Sequence, residues 1–286
     1  MTSGTDAHMP HLKPSAYDLS GLIDPHIHTA PDVSPRRVTD LQAARQARAA
    51  GMRAILLKSH VTCTAGRAAL ASEAVPGVQV LGGLALNEPI GGLNPHAVDA
   101  ALRLGARVIW MPTRDAARSR CAKGQEGGIQ LLDREGSLVP QLDPILEQIR
   151  DAGAVLGTGH LSLPEIAALL ARAQALGLPK IVVTHPESRS SRIPSQIQQE
   201  LAREGIWFER CFLPVYNGQC SMDALAANIR VLGCASTLLS TDLGQRGSPT
   251  PVEGFRLYLS QLEQHGFAAP EIERMAGQTA AELLDL

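Results

Sequence analysis

Two histidines two residues apart are the first groups in the chain whose type and spacing could do chemistry. They stand in Asp24-Pro25-His26-Ile27-His28, at the end of a short apolar run. Alternate residues of a β-strand face the same side, so a strand would aim both imidazoles in one direction. Neutral imidazole nitrogen is a good ligand for Zn²⁺ and neighbouring first-row cations. The spacing predicts half of a metal site, although a solvated or core histidine pair would show the same pattern.

Three further candidate ligands follow later strand-like runs. His160, His185 and Asp242 each stand where an apolar run gives way to polar, proline or glycine residues. In enzymes built on a barrel of parallel strands, the active site lies at the carboxyl ends of the strands. We therefore expect these groups to meet the histidine pair at one rim.

Eight apolar runs of strand length recur along the chain, and helical segments lie between them. The runs cover residues 22–27, 54–57, 78–86, 108–111, 154–156, 181–184, 206–208 and 237–240. Helix starts are indicated at Asn94-Pro95, Asp143-Pro144, Ser162 and Ser221, and helix ends at Gly105, Gly153 and Gly233. This alternation predicts a (β/α)₈ TIM barrel of the α/β class, because an open doubly wound sheet usually has fewer strands and often a glycine-rich phosphate turn.

Strand alternation predicts which side chains share the barrel interior with the histidines. The expected inward sets are Leu56, Lys58 and His60; Leu156, Thr158 and His160; Ile181, Val183 and His185; and Leu238, Ser240 and Asp242. Each set runs from an apolar residue to a polar one nearer the rim. The 30-residue connection after the fourth run, residues 113–142, contains a small predicted hairpin that turns at Arg134-Glu135-Gly136.

The ordered set of these groups resembles a known superfamily. The His-x-His pair, the two later histidines and Asp242 look like the amidohydrolase superfamily of metal-dependent hydrolases, over about residues 20–286. The superfamily's usual opening segment is similar to Ile23-Asp24-Pro25-His26-Ile27-His28. The terminal helix of many members resembles residues 276–284. The resemblance implies a metal centre drawn from His26, His28, His160, His185 and Asp242, with Zn²⁺ the expected cation and Mn²⁺ or Fe²⁺ as alternatives.

One position departs from the superfamily's binuclear members, which carry a bridging carboxylated lysine or glutamate at the end of the fourth strand. Here Val108-Ile109-Trp110-Met111-Pro112-Thr113 offers no acid. The departure favours one ion over two, held by His26, His28, one later histidine and Asp242. Lys58 and Glu209 are the alternative sources of a bridge.

Catalytic roles follow from a bound cation, which can lower the pKa of water from ~15.7 to ~7. Asp242 would take the proton of that water, unless it only caps a helix before Leu243-Gly244. The histidine not used as a ligand would polarise the substrate, and sequence does not rank His160 against His185. Lys58 and His60 are predicted to stabilise a developing oxyanion, unless Lys58 faces solvent at a strand end.

Substrate contacts are predicted from the loops that should ring the mouth of the barrel. Arg114, Arg189 and Arg192 follow the fourth and sixth runs, and a guanidinium pairs well with a carboxylate, so an anionic substrate is a hypothesis. Glu209 and Gln245 follow the seventh and eighth runs and could hydrogen-bond substrate. Solvated loop charges would show the same pattern.

Composition limits the partners of the chain. Its 286 residues are 44% hydrophobic, and 26 basic residues balance 28 acidic ones without clustering with aromatics, so we expect no nucleic-acid surface. We expect residues 1–18 to form a flexible tail and 19–286 one metal-dependent hydrolase domain. Five cysteines without a Cys-x-x-Cys pair argue against a disulfide framework, and no run is long enough to cross a bilayer. A cytoplasmic protein acting on a small molecule is predicted, and a homo-oligomer stays open.

Three functions and one alternative fold are compatible with parts of the sequence pattern. The first is hydrolysis of an amide, imide, lactone or ester bond. A metal-dependent decarboxylase or other lyase on the same barrel is the second. A barrel that binds a metal or ligand without turnover is the third. The seven-stranded barrel of the polymerase-and-histidinol-phosphatase type, which also begins with His-x-His, is the fourth, but its further histidines and acids are not found.

Overall fold

The computed structural model describes residues 16–203 and 205–286. In it, helices surround a barrel of parallel strands. The described residues form one sheet of eight parallel strands in the order β1-β2-β3-β4-β5-β6-β7-β8. The strands are β1 Ile23–His28, β2 Ala54–Lys58, β3 Gln79–Ala85, β4 Val108–Trp110, β5 Val155–Gly157, β6 Ile181–Val183, β7 Ile206–Cys211 and β8 Thr237–Ser240. All eight predicted runs are confirmed, which rules out the seven-stranded alternative. Residues 1–15 of the predicted tail lie outside the described residues.

Helices follow the strands in turn. They are α1 Asp40–Ala49, α2 Ala65–Ala74, α3 Pro95–Arg103, α4 Ala117–Cys121, α5 Leu142–Asp151, α6 Leu163–Ala175, α7 Ser195–Leu201, α8 Phe212–Tyr216, α9 Met222–Leu232, α10 Pro251–Gln264, α11 Ala269–Glu273 and α12 Thr279–Leu284. Single turns of 3₁₀-helix cover Glu88–Ile90 and Cys234–Ser236, and a π-helical turn, Arg274–Gln278, joins α11 to α12.

The predicted helix starts are confirmed at three of four positions. Asn94 and Ser221 accept backbone N–H groups as N-caps, and Ser162 forms a capping box with Glu165. The start predicted at Asp143 is wrong, since α5 begins at Leu142. Asp143 instead pairs with Arg172 of α6, whose Nε and Nη2 donate to its carboxylate over 2.8 and 2.6 Å.

The connection after β4 has the predicted hairpin. Leu132 and Leu138 form an antiparallel bridge, and Asp133 donates its N–H to the carbonyl of Ser137 over 2.8 Å. Arg134-Glu135-Gly136 makes the turn between them.

Hydrogen bonds past the end of β8 close the barrel and set the position of the histidine pair. The N–H of Asp242 donates to the carbonyl of His26 over 2.9 Å, and the N–H of His28 donates to the carbonyl of Leu243 over 2.7 Å. Below them, buried Asp24 of β1 accepts the hydroxyl and the N–H of Thr241 over 2.6 and 3.0 Å. The closing seam and the first candidate ligands are therefore the same stretch of chain.

Candidate metal centre

His26, His28 and Asp242 meet at the carboxyl-terminal rim of the barrel. Oδ1 of Asp242 lies 3.0 Å from Nε2 of His26 and 3.0 Å from Nε2 of His28. Both imidazoles are buried, and the Asp242 side chain is 13% exposed. One nitrogen or oxygen of each residue lies within 4.8 Å of the others, close enough to share one cation.

The electrostatics of the His26 ring come from two carboxylates on its opposite sides. Its Nδ1 lies 2.9 Å from Oε1 of Glu209, which also accepts the hydroxyl of Ser240 over 3.0 Å. Burial and the nearby Lys58 oppose protonation, yet Asp242 and Glu209 together raise the pKa of His26 to about 9. Burial opposes ionisation of Glu209, but His26 lowers the pKa of that carboxyl to about 2. A carboxylate on Nδ1 fixes the ring and directs Nε2 towards Asp242.

Three more histidines continue the cluster, and each has its Nδ1 beside a hydroxyl. The Nδ1 atoms of His60, His160 and His185 lie 2.8, 3.0 and 3.2 Å from the hydroxyls of Thr113, Ser119 and Ser191. Ring centroids are 4.9 Å apart for His28–His60 and for His160–His185, and 6.1 Å for His26–His185. All five predicted histidines therefore surround one point. Burial lowers the pKa of His28 and His185 to about 4, and holds those of His60 and His160 well below the usual value.

Lys58 is buried inside the barrel rather than facing solvent. Its Nζ lies 4.6 Å from the centre of the Trp110 ring, and within the described part of the chain it has no hydrogen-bond partner. Burial lowers the pKa of Lys58, while Asp242 and Glu209 counteract part of that effect. Buried donors of this kind are usually paired in native proteins, with a protein group, an ordered water or a ligand.

The predicted alternation holds on β2 and β8 but is wrong on β5 and β6. Leu56 and Leu238 pack in the barrel interior, whereas Val155 and Val182 do so in place of Leu156 and Ile181. His160 and His185 still reach the site because the backbone turns just before or at them. Gly159 has φ +62°, and His185 itself has φ +27°. Asp242, at φ +55°, shares this left-handed conformation, which is uncommon outside glycine and concentrates at functional positions.

A cavity of about 620 Å³ opens above the cluster and contains most of the predicted substrate contacts. His60, His160, Arg114, Arg189 and Gln245 all line it.

Two predicted substrate contacts do not line this cavity. Glu209 is 3% exposed beneath His26, because it belongs to β7 itself and points into the barrel. Arg192 is exposed and lies outside the lining, where the loop after β6 turns away at φ +35°.

Sequence reasoning missed several groups that contact the cluster. Arg36 lines the cavity from the loop after β1, and Thr113, Ser119 and Ser191 orient the outer histidines. Hydroxyl residues are too frequent in loops to be recognised by spacing. Arg36 lies eight residues beyond His28, outside the strand pattern that pointed to the histidines.

The donor set fits a divalent cation. Two imidazole nitrogens and a carboxylate oxygen are the ligands typical of catalytic zinc, which keeps a further position open. Ligand atoms bound at ~2.0–2.1 Å to a tetrahedral ion stand roughly 3.3 Å apart. The separations of 3.0 Å about Asp242 Oδ1 are close to that value. Nε2 of His26, one of these candidate ligand atoms, is buried and satisfies no hydrogen-bond geometry among the described residues, so the protein does not saturate it.

Comparison with known sequences assigns the family. A profile described as "Family of unknown function (DUF6282)" matches residues 21–209, which include both β1 histidines, Lys58, His160 and His185. The chain belongs to this family. No curated protein matches the DUF6282 chain in sequence.

Solved structures share the fold of this DUF6282 protein at low sequence identity. An amidohydrolase from Pseudomonas aeruginosa is 12% identical at a TM-score of 0.62, over 93% of this chain and 95% of that one. A β-aspartyl dipeptidase from Fervidobacterium islandicum AW-1 is 14% identical at 0.63, over 94% and 73%. The 5-carboxyvanillate decarboxylase LigW from Sphingomonas paucimobilis is 13% identical at 0.59, over 94% and 99%. The resemblance to amidohydrolase-superfamily barrels is thus confirmed for the fold.

Proposed function

We propose that this DUF6282 protein is a metal-dependent hydrolase that cleaves an amide, imide, lactone or ester bond of a small substrate. The observation that carries the proposal is the convergence of His26, His28 and Asp242 on one point, next to His60 of the cavity wall. Hydrolases among the structural neighbours support this choice, since the amidohydrolase and the dipeptidase share the fold.

One ion, Zn²⁺ in preference to Mn²⁺ or Fe²⁺, fits the described residues best. Glu209 contacts Nδ1 of His26, on the other side of the ring from Asp242, so it is poorly placed to bridge two ions. The indole of Trp110 occupies the barrel interior at the end of β4, where a bridging acid would stand in a binuclear site. His185 is the nearer candidate for a further ligand, because its ring is 6.1 Å from that of His26 and His160 lies beyond it.

The protein's own groups then divide the work of hydrolysis. A divalent cation, when bound, would supply an activated water molecule and polarise the carbonyl group. Asp242 is ionised, since the two histidines hold its pKa well below the usual range against the effect of burial, and it accepts the proton of the water. His60 lines the cavity and Lys58 is buried beside Trp110, and we assign both to donate to the oxygen that gains charge. His160, held by Ser119, orients the substrate from the cavity wall.

Decarboxylation by the same residues is the second candidate. A decarboxylase is among the structural neighbours, and the cavity is lined with arginines that suit a carboxylate substrate. A cytoplasmic setting belongs to the same proposal, because every cysteine in the described ranges has a free thiol, as a reducing compartment requires.

Product analysis in ¹⁸O-labelled water tests the proposal. The Zn²⁺-loaded protein is screened against N-acyl amino acids, cyclic imides, lactones, esters and aromatic carboxylates. We expect turnover with label in one product, and a loss of about 10²-fold or more in Asp242→Asn. Asp223→Asn, at a side chain 90% exposed on α9, is the control and should keep wild-type activity.

Two results would contradict hydrolysis. Loss of carbon dioxide without incorporation of label would instead identify a lyase. Zn²⁺ binding without turnover of any compound in the panel would favour a barrel that only binds its ligand.

A further inference from the structure

The cavity above the metal centre carries one sign of charge. Its lining includes Arg36, Arg114, Lys123 and Arg189, and among the described lining residues there is no aspartate or glutamate. Its volume of about 620 Å³ suits a small molecule. A cleft lined by positive charge raises the local concentration of anions. The volume and the charge of this cavity together favour a small anion.

Arg36 differs from the other three because its side chain is built into the wall. The side chain is only 7% exposed, whereas Lys123 and Arg189 are exposed. Its Nη2 donates to Oδ2 of Asp32 over 3.1 Å, and that carboxylate also accepts the N–H of Ser34 over 2.9 Å.

The backbone around Arg36 is fixed as firmly as its side chain. Arg36 forms an antiparallel bridge with Gln245 of the loop after β8, and the N–H of Arg37 donates to the carbonyl of Gly244 over 2.8 Å. Gln245 in turn donates from Nε2 to the carbonyl of Asp242 over 2.9 Å. The backbone of Arg36 is therefore linked, through Gln245, to Asp242 of the candidate metal centre.

Asp32 leaves part of the Arg36 guanidinium unused. Nε of Arg36 is buried and has no hydrogen-bond partner within residues 16–203 and 205–286. A buried, unpaired N–H group is costly, and native proteins usually pair it with an acceptor, a water or a ligand. Because Arg36 lines the cavity, an oxyanion that enters it can approach this guanidinium, and guanidinium groups bind carboxylates with paired N–H donors.

We propose that Arg36 is the specificity-determining residue of this site and binds a carboxylate or similar oxyanion of the substrate beside the metal centre. The proposal rests on the proposed function for the identity of the reacting group, but the anion site stands on the cavity alone. Arg114, Lys123 and Arg189 supply further charge, so a substrate with a second anionic group would bind more tightly than one with a single group.

Calorimetric titration with succinate tests the anion site, and neutral succinamide serves as the comparison ligand. Wild type, Arg36→Met, Arg36→Lys and Arg37→Met are each titrated with and without bound Zn²⁺. Arg37 is an exposed neighbour in the same loop, so its variant changes net charge equally without changing the cavity wall.

We expect wild type and Arg37→Met to bind succinate equally, and Arg36→Met to bind it at least tenfold more weakly, with or without Zn²⁺. Arg36→Lys should weaken binding several-fold, because it keeps the charge but loses the planar fork. This variant keeps the test valid if Arg36→Met does not fold, as judged by circular dichroism. Succinamide should show no dependence on Arg36.

Equal succinate affinity in wild type and both Arg36 variants would overturn the proposal, as would failure of succinate to bind wild type at millimolar concentration. These outcomes are separate from failure of the proposed function. If Zn²⁺ does not bind but succinate binding depends on Arg36, the anion site stands and the metal-dependent activity falls.

Discussion

At the scale of single residues, the two imidazoles of β1 differ in what supports them. His26 lies between Glu209 and Asp242, while Nδ1 of His28 has no hydrogen-bond partner in the described part of the protein. An outer carboxylate that accepts the second N–H of a ligating histidine fixes its tautomer and increases its basicity. Glu209 is therefore best understood as a group that positions His26.

Glu209→Gln tests that role. The amide has nearly the same shape and can still accept from Ser240, so the fold should be kept. Zn²⁺ affinity should fall by about 10- to 100-fold, because the support of His26 weakens. Competition with a chelator measures the affinity, and Glu126→Gln, at an exposed position between α4 and α5, should leave it unchanged. Equal affinity in both variants would show that Glu209 does not act through His26.

The buried histidines predict how the metal-free protein responds to acid. Burial lowers the pKa of His28 and His185 to about 4, and those of His60 and His160 also lie well below the usual value. The unfolded chain takes up these protons near pH 6.5 while the folded protein does not, so the free energy of unfolding falls as pH falls towards 4. His26, with its pKa raised to about 9, and Asp24, whose pKa burial raises to about 7, bind protons more readily in the folded protein, so they offset part of this loss without reversing it.

Urea unfolding of chelator-treated protein between about pH 7 and about pH 5 measures this loss. The midpoint should decrease, and it should decrease less in His160→Asn. His96→Asn, at an exposed position in α3, should behave as wild type. A midpoint that is constant over this range in wild type would be inconsistent with four neutral, buried imidazoles.

At the scale of elements, the seam between β1 and the chain after β8 positions His26 and His28 against Asp242. Gly244 has φ +132°, and a Cβ there would stand 1.7 Å from the carbonyl oxygen of His28. Only glycine allows this approach, which accompanies the hydrogen bond from His28 to Leu243. The seam therefore cannot accept a side chain at this position without moving His28.

Gly244→Ala should consequently lower both the melting temperature and the Zn²⁺ affinity. The backbone conformation is costly for alanine, and relief of the clash shifts His28 relative to Asp242. Gly247→Ala, three residues further in the same loop, meets no atom within 4 Å and should be close to neutral. Thermal melts and chelator competition measure both effects. Wild-type behaviour of Gly244→Ala would argue against the seam as the element that positions the site.

The elements themselves were largely predictable from the sequence, but their rotation was not. Apolar runs and caps such as Asn94 identify strands and helices because burial and capping are local effects. The inward faces of β5 and β6 were predicted one residue out of phase. Left-handed residues at Gly159 and His185 redirect the chain beyond strands of three residues each, and no periodicity in the sequence reports such a turn.

At the scale of the whole molecule, one aromatic ring and the side chains of the last helix fill the interior of the barrel. Trp110 occupies the centre under the histidines, and α12 closes the bottom with Leu283 and Leu284. Gly83 and Gly157 make room for the indole, since a Cβ at either position would stand 2.6 or 2.3 Å from it. The large aromatic ring in the core therefore supports the histidines above it, since His26 and Trp110 have ring centroids 5.9 Å apart.

Gly157→Ala should destabilise the protein by roughly 1–3 kcal/mol, because it overpacks the barrel against Trp110. Gly66→Ala in α2 meets nothing within 4 Å and should instead be neutral or slightly stabilising, since alanine favours a helix. Denaturant unfolding compares the two. Equal stability of Gly157→Ala and wild type would show that the barrel interior has room to relax.

The site as a whole was predictable where it depends on strand ends and not where it depends on loops. The five histidines, Lys58 and Asp242 meet as their places in the sequence indicated. The burial of Glu209 and the contribution of Arg36 depend on how β7 and the loop after β1 fold against other segments. Such long-range packing leaves no local pattern in the sequence.

The proposed function depends on one divalent cation held by His26, His28 and Asp242. Anomalous diffraction from crystals of the Zn²⁺-loaded protein, measured on both sides of the zinc edge, tests it most directly. We expect one strong peak per chain, about 2 Å from Nε2 of His26, Nε2 of His28 and a carboxylate oxygen of Asp242. A peak elsewhere in the molecule, or none at this rim, would contradict it.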